Sequence, residues 1–205
     1  MGFYRDRVLP HLIDRACRTP ALAEWRDSVT AGLAGRVVEI GFGSGLNLPH
    51  YPPAVEVVMA VEPAAVSRRI ALRREAQAGV RVEHVGLDGE SIELADASAD
   101  AGLSTFTLCT IPGVERALGE LRRVIKPGGS LHFLEHGLAP DAGVAKWQWR
   151  LDRLQGRLAG GCHLTRDIPG LITAAGFEIE RIEQRYAAGP RAWSWFTVGV
   201  ARNPA

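Results

Sequence analysis

The stretch of sequence that decides the fold is VVEIGFGSGLN, which spans Val37–Asn47. Its first four residues are typical of a buried β-strand. The glycines that follow let the main chain turn sharply and let a ligand approach the backbone. Leu46 stands where a dinucleotide-binding loop carries its third glycine. No Gly-Lys-Ser/Thr follows, so the pattern argues against both a dinucleotide and a phosphate-cradling loop.

A carboxylate, Glu62, directly follows the second predicted strand. In a doubly wound sheet, a carboxylate at this strand end faces the ribose of a ligand held on the first loop. It can accept hydrogen bonds from both ribose hydroxyls. The glycine loop and Glu62 together therefore predict that the chain binds an adenosine group.

Short apolar runs rich in valine and isoleucine alternate with helical stretches from Arg36 onward, which is typical of repeated βαβ units. The predicted strands are 37–40, 57–61, 82–85, 101–106, 131–134, 177–183 and 193–200. The predicted helices are a short one within 3–18 and four later ones at 64–78, 114–125, 142–158 and 166–175. The predicted fold class is α/β, doubly wound around a parallel sheet.

The totals of the sequence suit a soluble globular protein with one hydrophobic core. The chain has 205 residues, and its 24 basic and 23 acidic side chains give a formal charge of +1. This charge lacks the positive field that nucleic-acid binding uses. No apolar run approaches the roughly 20 residues that span a bilayer, and the charged first residues do not resemble a secretory signal. We expect one domain over 1–205, a cytoplasmic location and no nucleic-acid partner.

The three cysteines, Cys17, Cys109 and Cys162, are odd in number and widely separated, which is typical of reduced thiols. Cys162 adjoins His163, but no second pair of ligands stands at zinc-site spacing. The sequence therefore predicts no metal site. Cys109 and Cys162 are interpreted as buried or pocket-lining thiols.

Residues 36–135 resemble the class I S-adenosylmethionine-dependent methyltransferases. The matching segments, in order, are the loop from Glu39 to Gly45, Glu62, the Asp88-Gly89-Glu90 turn, the strand beginning at Asp100 and the segment RRVIKPGG at 122–129. The resemblance implies a Rossmann-like, mostly parallel sheet of seven strands with helices on both faces, the last strand being antiparallel. It also implies S-adenosylmethionine as the cofactor.

By that resemblance, Glu39 and the loop glycines would hold the methionine part of the cofactor, and Glu62 would hold the ribose. Asp88 and the main chain of Gly89 would hold the adenine. The expected cofactor-binding residues are Glu39, Gly41, Gly43, Gly45, Asn47, Glu62, Asp88, Gly89, Glu90 and Thr105.

Further features are similar to the methyltransferase-like thiol S-methyltransferases, which methylate alkyl thiols or hydrogen sulfide. These features are Asn47 with Tyr51-Pro52-Pro53, Leu108-Cys109, Glu135-His136 and the segment GCHLTR at 161–166. Animal members carry a hydrophobic N-terminal membrane anchor, which this chain is expected to lack. The resemblance implies a small-molecule acceptor and favours a thiol. The alternatives are a quinone carbon, a phospholipid headgroup nitrogen, and a cofactor-binding protein without transfer activity.

Methyl transfer from a sulfonium is an in-line displacement, so the protein mainly aligns the acceptor and excludes water. A thiol with a pKa of about 8.5 is helped by a nearby base. His136 directly follows a predicted strand at the ligand-binding edge and is the candidate catalytic base, with a structural histidine as the alternative. His163 and Arg166 are candidates for binding the acceptor. The alternative there is Thr165 as a helix N-cap, with Arg166 on the surface.

We expect three regions within the domain, namely an N-terminal helical cap at 1–30, a cofactor-binding core at 36–135, and acceptor-side helices with the terminal strands at 136–205. The basic amphipathic N-terminal helix is interpreted as an outer helix packed on the domain, with a lid or a membrane-surface contact as the alternative. The W-x-W pairs at 147–149 and 193–195 are predicted to pack in the core or at edges. An aromatic wall for the acceptor is the alternative.

Overall fold

The computed structural model describes residues 3–205, in which seven strands form one sheet. The strands are β1 (Gly35–Ile40), β2 (Val55–Val61), β3 (Arg81–Gly86), β4 (Ala99–Thr105), β5 (Ile125–His136), β6 (Glu178–Tyr186) and β7 (Trp195–Arg202). Their order across the sheet is β3-β2-β1-β4-β5-β7-β6. Strands β1 to β5 pair in parallel, and β7 is antiparallel to both β5 and β6. The predicted α/β class and the mostly parallel seven-stranded sheet are confirmed.

Seven α-helices accompany the sheet within the described residues. They are α1 (Leu9–Cys17), α2 (Pro20–Thr30), α3 (Ala65–Glu75), α4 (Val114–Val124), α5 (Ala142–Leu158), α6 (Ile168–Ala174) and α7 (Arg191–Ser194). A π-helical turn, Tyr4–Val8, precedes α1, and a 3₁₀ turn, Leu48–His50, lies between β1 and β2. Across residues 3–205, none of the helices has both the length and the hydrophobicity needed to cross a bilayer.

The core lies on both faces of the sheet. Successive residues of a strand point to opposite faces, so Val38 packs in the cluster that includes α4 and α6, whereas Val37 packs in the cluster that includes α2. The same division separates Met59 from Val58 and Phe133 from Leu134. Burial of both faces explains why the central strands are continuous apolar runs rather than alternating ones.

The structure corrects the sequence prediction in its details. The sequence predicts one short helix within 3–18 and does not predict α2. Proline suits the first helical positions, since its missing N–H has no partner there, and Pro20 begins α2. Strand β5 begins at Ile125 rather than 131, because main-chain hydrogen bonds from Gly128 to Asn203 and from Asn203 to Gly129 hold this segment.

The predicted packing of the tryptophan pairs is wrong for the first pair. Trp147 and Trp149 on α5 are 56% and 62% exposed. A pocket of about 760 Å³ lies between α5 and α7 and is lined by Trp147 and Trp193. None of the residues that line it belongs to the glycine loop, so these rings do not form a wall beside that loop.

The topology places the carboxyl ends of β1, β2, β4 and β5 on one edge of the sheet. The chain order reverses between β1 and β4, and in open α/β sheets such a reversal opens a crevice at the strand ends. The glycine loop, Glu62, the residues after Thr105 and His136 all lie on this edge.

Candidate active site

The glycine loop packs tightly against the next strand on one side and is open on another. The main-chain N–H groups of Gly41 and Phe42 donate to the carbonyl of Val61 at 2.9 and 3.2 Å. Gly41 has a φ of 65°, and a Cβ there would lie 2.0 Å from Thr107 Oγ1. Gly43 has a φ of 59°, and a Cβ there would meet only the Gly41 carbonyl, at 3.6 Å. The loop is therefore fixed in place, with exposed backbone at Gly43.

Glu62 is buried at the end of β2 and contacts the glycine loop. Its Oε2 accepts a hydrogen bond from the Gly43 N–H at 2.7 Å, and its Oε1 accepts one from the Ala64 N–H at 2.8 Å. Burial raises the pKa of this carboxyl, and the two main-chain donors oppose that rise. A carboxylate has about four acceptor positions, so two remain for the hydroxyls of a ribose.

Glu39, at the carboxyl end of β1, is the centre of a buried hydrogen-bond network. Its two oxygens accept from Asn47 Nδ2 at 2.7 Å and from the Tyr51 hydroxyl at 2.6 Å. Asn47 also donates to Thr105 Oγ1 at 3.0 Å and accepts from Arg26 Nη1 at 2.6 Å. Burial raises the pKa of Glu39 to about 7, against the hydrogen bonds from Tyr51 and Asn47, which lower it. Glu39 therefore changes its charge near neutral pH.

Arg26 was not predicted as a site residue. It lies on α2 and is buried, and its guanidinium carbon lies 6.0 Å from the centre of the Phe106 ring. An arginine at this position in the sequence resembles the other basic residues of the N-terminal region. Its role appears only when α2 is placed beside the glycine loop.

The predicted adenine-binding turn lies at the same edge. Asp88 is exposed and accepts a hydrogen bond from the Glu90 N–H at 2.8 Å, while Gly89 is buried beside Ile40 and Ile111. Glu90 accepts from the Gly113 N–H at 2.8 Å and pairs with Arg116 at the start of α4. Glu90 thus fixes the turn to α4, whereas its contact with the cofactor remains a prediction.

Glu135 is a second residue that the sequence did not assign to the site. Its fully buried carboxylate accepts from Ser104 Oγ at 2.7 Å. It also accepts from the main-chain N–H groups of Thr107, Leu108 and Cys109, at 3.1, 3.0 and 3.1 Å. This carboxylate therefore holds the turn that follows β4. Phe106 precedes the turn with a φ of 55°, a strained conformation for a bulky residue.

His136, the predicted base, lies between two aromatic rings and two sulfurs. Its ring centre is 5.0 Å from those of Phe106 and Phe196. Its Nδ1 is 3.9 Å from the Sγ atoms of Cys109 and Cys162. The prediction that the chain has no metal site depended on the spacing of residues in the sequence. In the folded protein, Cys109, His136 and Cys162 lie together although they are far apart in the sequence, so spacing alone cannot decide the question.

The two predicted acceptor-binding residues make contacts with the same turn. Arg166 donates from Nη1 to the carbonyl of Leu108, and the main-chain N–H of His163 donates to the carbonyl of Cys109 at 2.7 Å. The His163 ring lies 2.8 Å from Asp152. These contacts brace the turn, and binding of the acceptor by His163 and Arg166 remains a prediction.

The predicted capping role of Thr165 is wrong. The N-cap of α6 is Asp167, whose side chain accepts from the Gly170 N–H at 3.2 Å. Thr165 instead donates from Oγ1 to Asp152 at 3.2 Å.

The N-terminal helices are attached to the cofactor side of the site. Asp14 on α1 accepts from Ser44 Oγ at 2.6 Å and forms an ion pair with Arg74 at 2.9 Å. Burial raises the pKa of Cys17 at the end of α1, and the nearby positive charge of Arg26 opposes that rise. The N-terminal helices therefore lie over the sheet edge that carries the site. A lid over the substrate, the alternative considered for the N-terminal helix, would need this position and remains a prediction.

Comparison with known proteins shows which family the sequence belongs to. Residues 38–133 match the family model described as "Methyltransferase domain". The chain is 32% identical over 170 residues to thiol S-methyltransferase TMT1B of Rattus norvegicus, covering 80% of this chain and 66% of that protein. It is 30% identical to thiol S-methyltransferase TMT1A of Homo sapiens, covering 80% and 68%. The chain belongs to the S-adenosylmethionine-dependent methyltransferases.

The chain spans about two thirds of the length of these two relatives. A crystal structure of a S-adenosylmethionine-dependent methyltransferase from Thermotoga maritima, described as a possible histamine N-methyltransferase, has the same fold. It superposes with a TM-score of 0.72 at 21% identity, covering 98% of this chain and 100% of that chain. The resemblance seen in the sequence is confirmed.

The cofactor of the methyltransferase is S-adenosylmethionine, as predicted, and the residues at the sheet edge fit it. Gly43 presents open main chain, and Glu62 keeps acceptor positions for ribose hydroxyls. Glu39 is a buried acid near the loop, where it can face a cationic part of the ligand.

Proposed function

We propose that the methyltransferase transfers a methyl group to a small thiol or to sulfide. The observation that carries the proposal is the composition of the region beyond the glycine loop, where His136 packs against Phe106 and Phe196 and lies beside two thiols. The surroundings of the His136 imidazole are therefore largely apolar. This suits a small uncharged acceptor that must lose one proton. Two relatives that are named thiol S-methyltransferases support the same acceptor class.

Bound S-adenosylmethionine supplies a methyl group that its sulfonium has already activated for displacement. The protein then has to orient and desolvate the reactants. The glycine loop and Glu62 fix the adenosine side, and Glu135 fixes the turn on the acceptor side. Phe106 and Phe196 exclude water from the space around His136. His136 promotes the thiolate form of the acceptor, which is the nucleophilic form.

The acceptor class is tested by incubating the full chain with methyl-labelled S-adenosylmethionine and four acceptors supplied separately. These are ethanethiol, sulfide, a quinone and a primary amine. We expect label in the methyl thioether from ethanethiol and in methanethiol from sulfide. Glu56→Gln, on the exposed side of β2, is the matched control and should label the same products.

Other outcomes of the panel would overturn the proposal. Label found only in the quinone or only in the amine would assign a different acceptor class. Cofactor binding without transfer to any acceptor would instead indicate a binding protein without transfer activity.

A further inference from the structure

Three soft metal-ligand atoms converge from distant parts of the chain. Cys109 follows β4, His136 ends β5, and Cys162 lies in the loop after α5. The two Sγ atoms are 3.7 Å apart, and each is 3.9 Å from His136 Nδ1. These are the ligand types, cysteine sulfur and histidine nitrogen, that zinc sites use.

The spacing of these atoms matches a metal site. They form an almost equilateral triangle, whose centre lies at the side length divided by √3, about 2.2 Å from each corner. Zinc bonds are about 2.3 Å to cysteine sulfur and about 2.0–2.1 Å to histidine nitrogen. An ion at or slightly above the plane of the triangle therefore reaches all three atoms without movement of the backbone. A disulfide would require the sulfurs to approach to about 2.05 Å.

Contacts with the surrounding fold also position these three side chains. Glu135 accepts from the Cys109 N–H, and the Cys109 carbonyl accepts from the N–H of His163, the residue after Cys162. The His136 ring packs against Phe106 and Phe196. Such a preformed set of ligands loses little entropy when an ion binds.

Both cysteine side chains are buried, and a buried charge in a protein is either paired or coordinates a metal. A divalent cation would displace the protons and leave two thiolates and one imidazole around it, a set with no net charge.

We propose that Cys109, His136 and Cys162 bind a zinc ion on the acceptor side of the site, with one coordination position open. Three protein ligands and an open position are typical of catalytic rather than structural zinc. This position would take the sulfur of the acceptor, a role that rests on the proposed function, whereas binding of the ion does not.

Methyl transfer from S-adenosylmethionine to a zinc-bound thiol balances in atoms and charge. The acceptor thiol binds zinc as a thiolate and releases its proton to water. Its sulfur forms a bond to the methyl carbon while the bond from that carbon to the sulfonium sulfur breaks. The products are a methyl thioether, S-adenosylhomocysteine and the released proton. The thioether is a weaker zinc ligand than a thiolate and leaves the ion. On this scheme His136 acts as a ligand, and zinc rather than imidazole favours the thiolate.

Metal content gives the first test. Elemental mass spectrometry measures the zinc content of tag-free protein that is produced in zinc-supplemented cells and purified without chelator. We expect one zinc ion per chain in the wild type and in Cys17→Ser, the matched control that changes the cysteine outside the triangle. Cys109→Ser and Cys162→Ser should each lose metal affinity by at least about tenfold.

Cobalt gives a second measurement that does not depend on a variant folding. Wild-type protein stripped of metal and reloaded with Co²⁺ should show thiolate-to-cobalt charge transfer in the near ultraviolet and the strong visible bands of a tetrahedral site. Wild type that binds neither zinc nor cobalt would overturn the proposal. An intact mass two hydrogens below the reduced chain, mapped to a Cys109–Cys162 disulfide, would also overturn it.

The link to the acceptor is tested on the cobalt-loaded protein. Ethanethiol should change the charge-transfer band, because a third sulfur then binds the ion. A spectrum that ethanethiol leaves unchanged would overturn the role in acceptor binding. If the acceptor panel shows no thiol methylation while metal content stays at one ion per chain, the proposed function fails and the metal site stands.

Discussion

The buried acid Glu39 is expected to make folding stability depend on pH, and a single substitution can isolate its contribution. Burial raises its pKa from an ordinary 4.5 to about 7, so the folded protein disfavours its ionised form. At about 1.4 kcal/mol per pKa unit, the difference amounts to about 3 kcal/mol. Because the folded pKa lies above the unfolded one, this stability is fully present below about pH 4.5. It is lost as the pH rises through about 7.

Glutamine has nearly the same shape and cannot ionise, so Glu39→Gln lacks this dependence. We expect the wild type to lose about 3 kcal/mol of unfolding free energy relative to Glu39→Gln between about pH 4.5 and about pH 8. Urea denaturation of both proteins at the two pH values measures this difference, and groups that titrate in both proteins cancel. Glu56→Gln, exposed on β2, is the control and should show no such change. A difference between Glu39→Gln and wild type that is equal at both pH values would refute the reasoning.

Three further substitutions test the other parts of the site. Glu62→Ala should weaken S-adenosylmethionine binding by roughly 1.5–3 kcal/mol in titration calorimetry, because charge-assisted hydrogen bonds are lost, and unchanged affinity would remove Glu62 from the cofactor site. Glu135→Ala leaves three main-chain amides and a hydroxyl without their acceptor, so it should lower the unfolding free energy, measured in urea, by about 3–5 kcal/mol. A loss below about 1 kcal/mol would contradict the role of Glu135 in holding the turn after β4. Asp14→Ala removes the contacts from α1 to the glycine loop and should speed tryptic cleavage within α1, and an unchanged cleavage rate would show that other contacts hold the helix.

The features that the sequence predicted well are those encoded locally. Buried parallel strands are continuous apolar runs, and the alternation of strands and helices then predicts a parallel sheet. The contact between the glycine loop and Glu62 was predictable for the same reason, since both follow neighbouring parallel strands at the same edge. The start of β5 at Ile125 and the whole of α2, which begins at Pro20, were not predicted, because a proline or a glycine pair is compatible with more than one local structure.

The features that the sequence could not predict depend on contacts between residues distant in the chain. Arg26 meets Asn47 only because α2 packs beside the loop, and Glu135 meets the turn after β4 only because β4 and β5 pair. The motif Glu135-His136 was visible in the sequence, but nothing local indicated that the first residue holds a turn. The spacing of Cys109, His136 and Cys162 likewise gives no local signal, so an argument from spacing predicted no metal site.

The turn after β4 contacts both the cofactor side and the acceptor side of the site. A substitution that disturbs this turn is therefore expected to affect both sides. Thr107 lies against Gly41 on the cofactor side, and Cys109, two residues later, faces His136 on the acceptor side. One carboxylate, Glu135, accepts from the main chain of both residues. The same group therefore positions Thr107 beside the glycine loop and Cys109 on the acceptor side. Damage from Glu135→Ala should extend to both halves, whereas loss of Glu62 leaves the acceptor side in place.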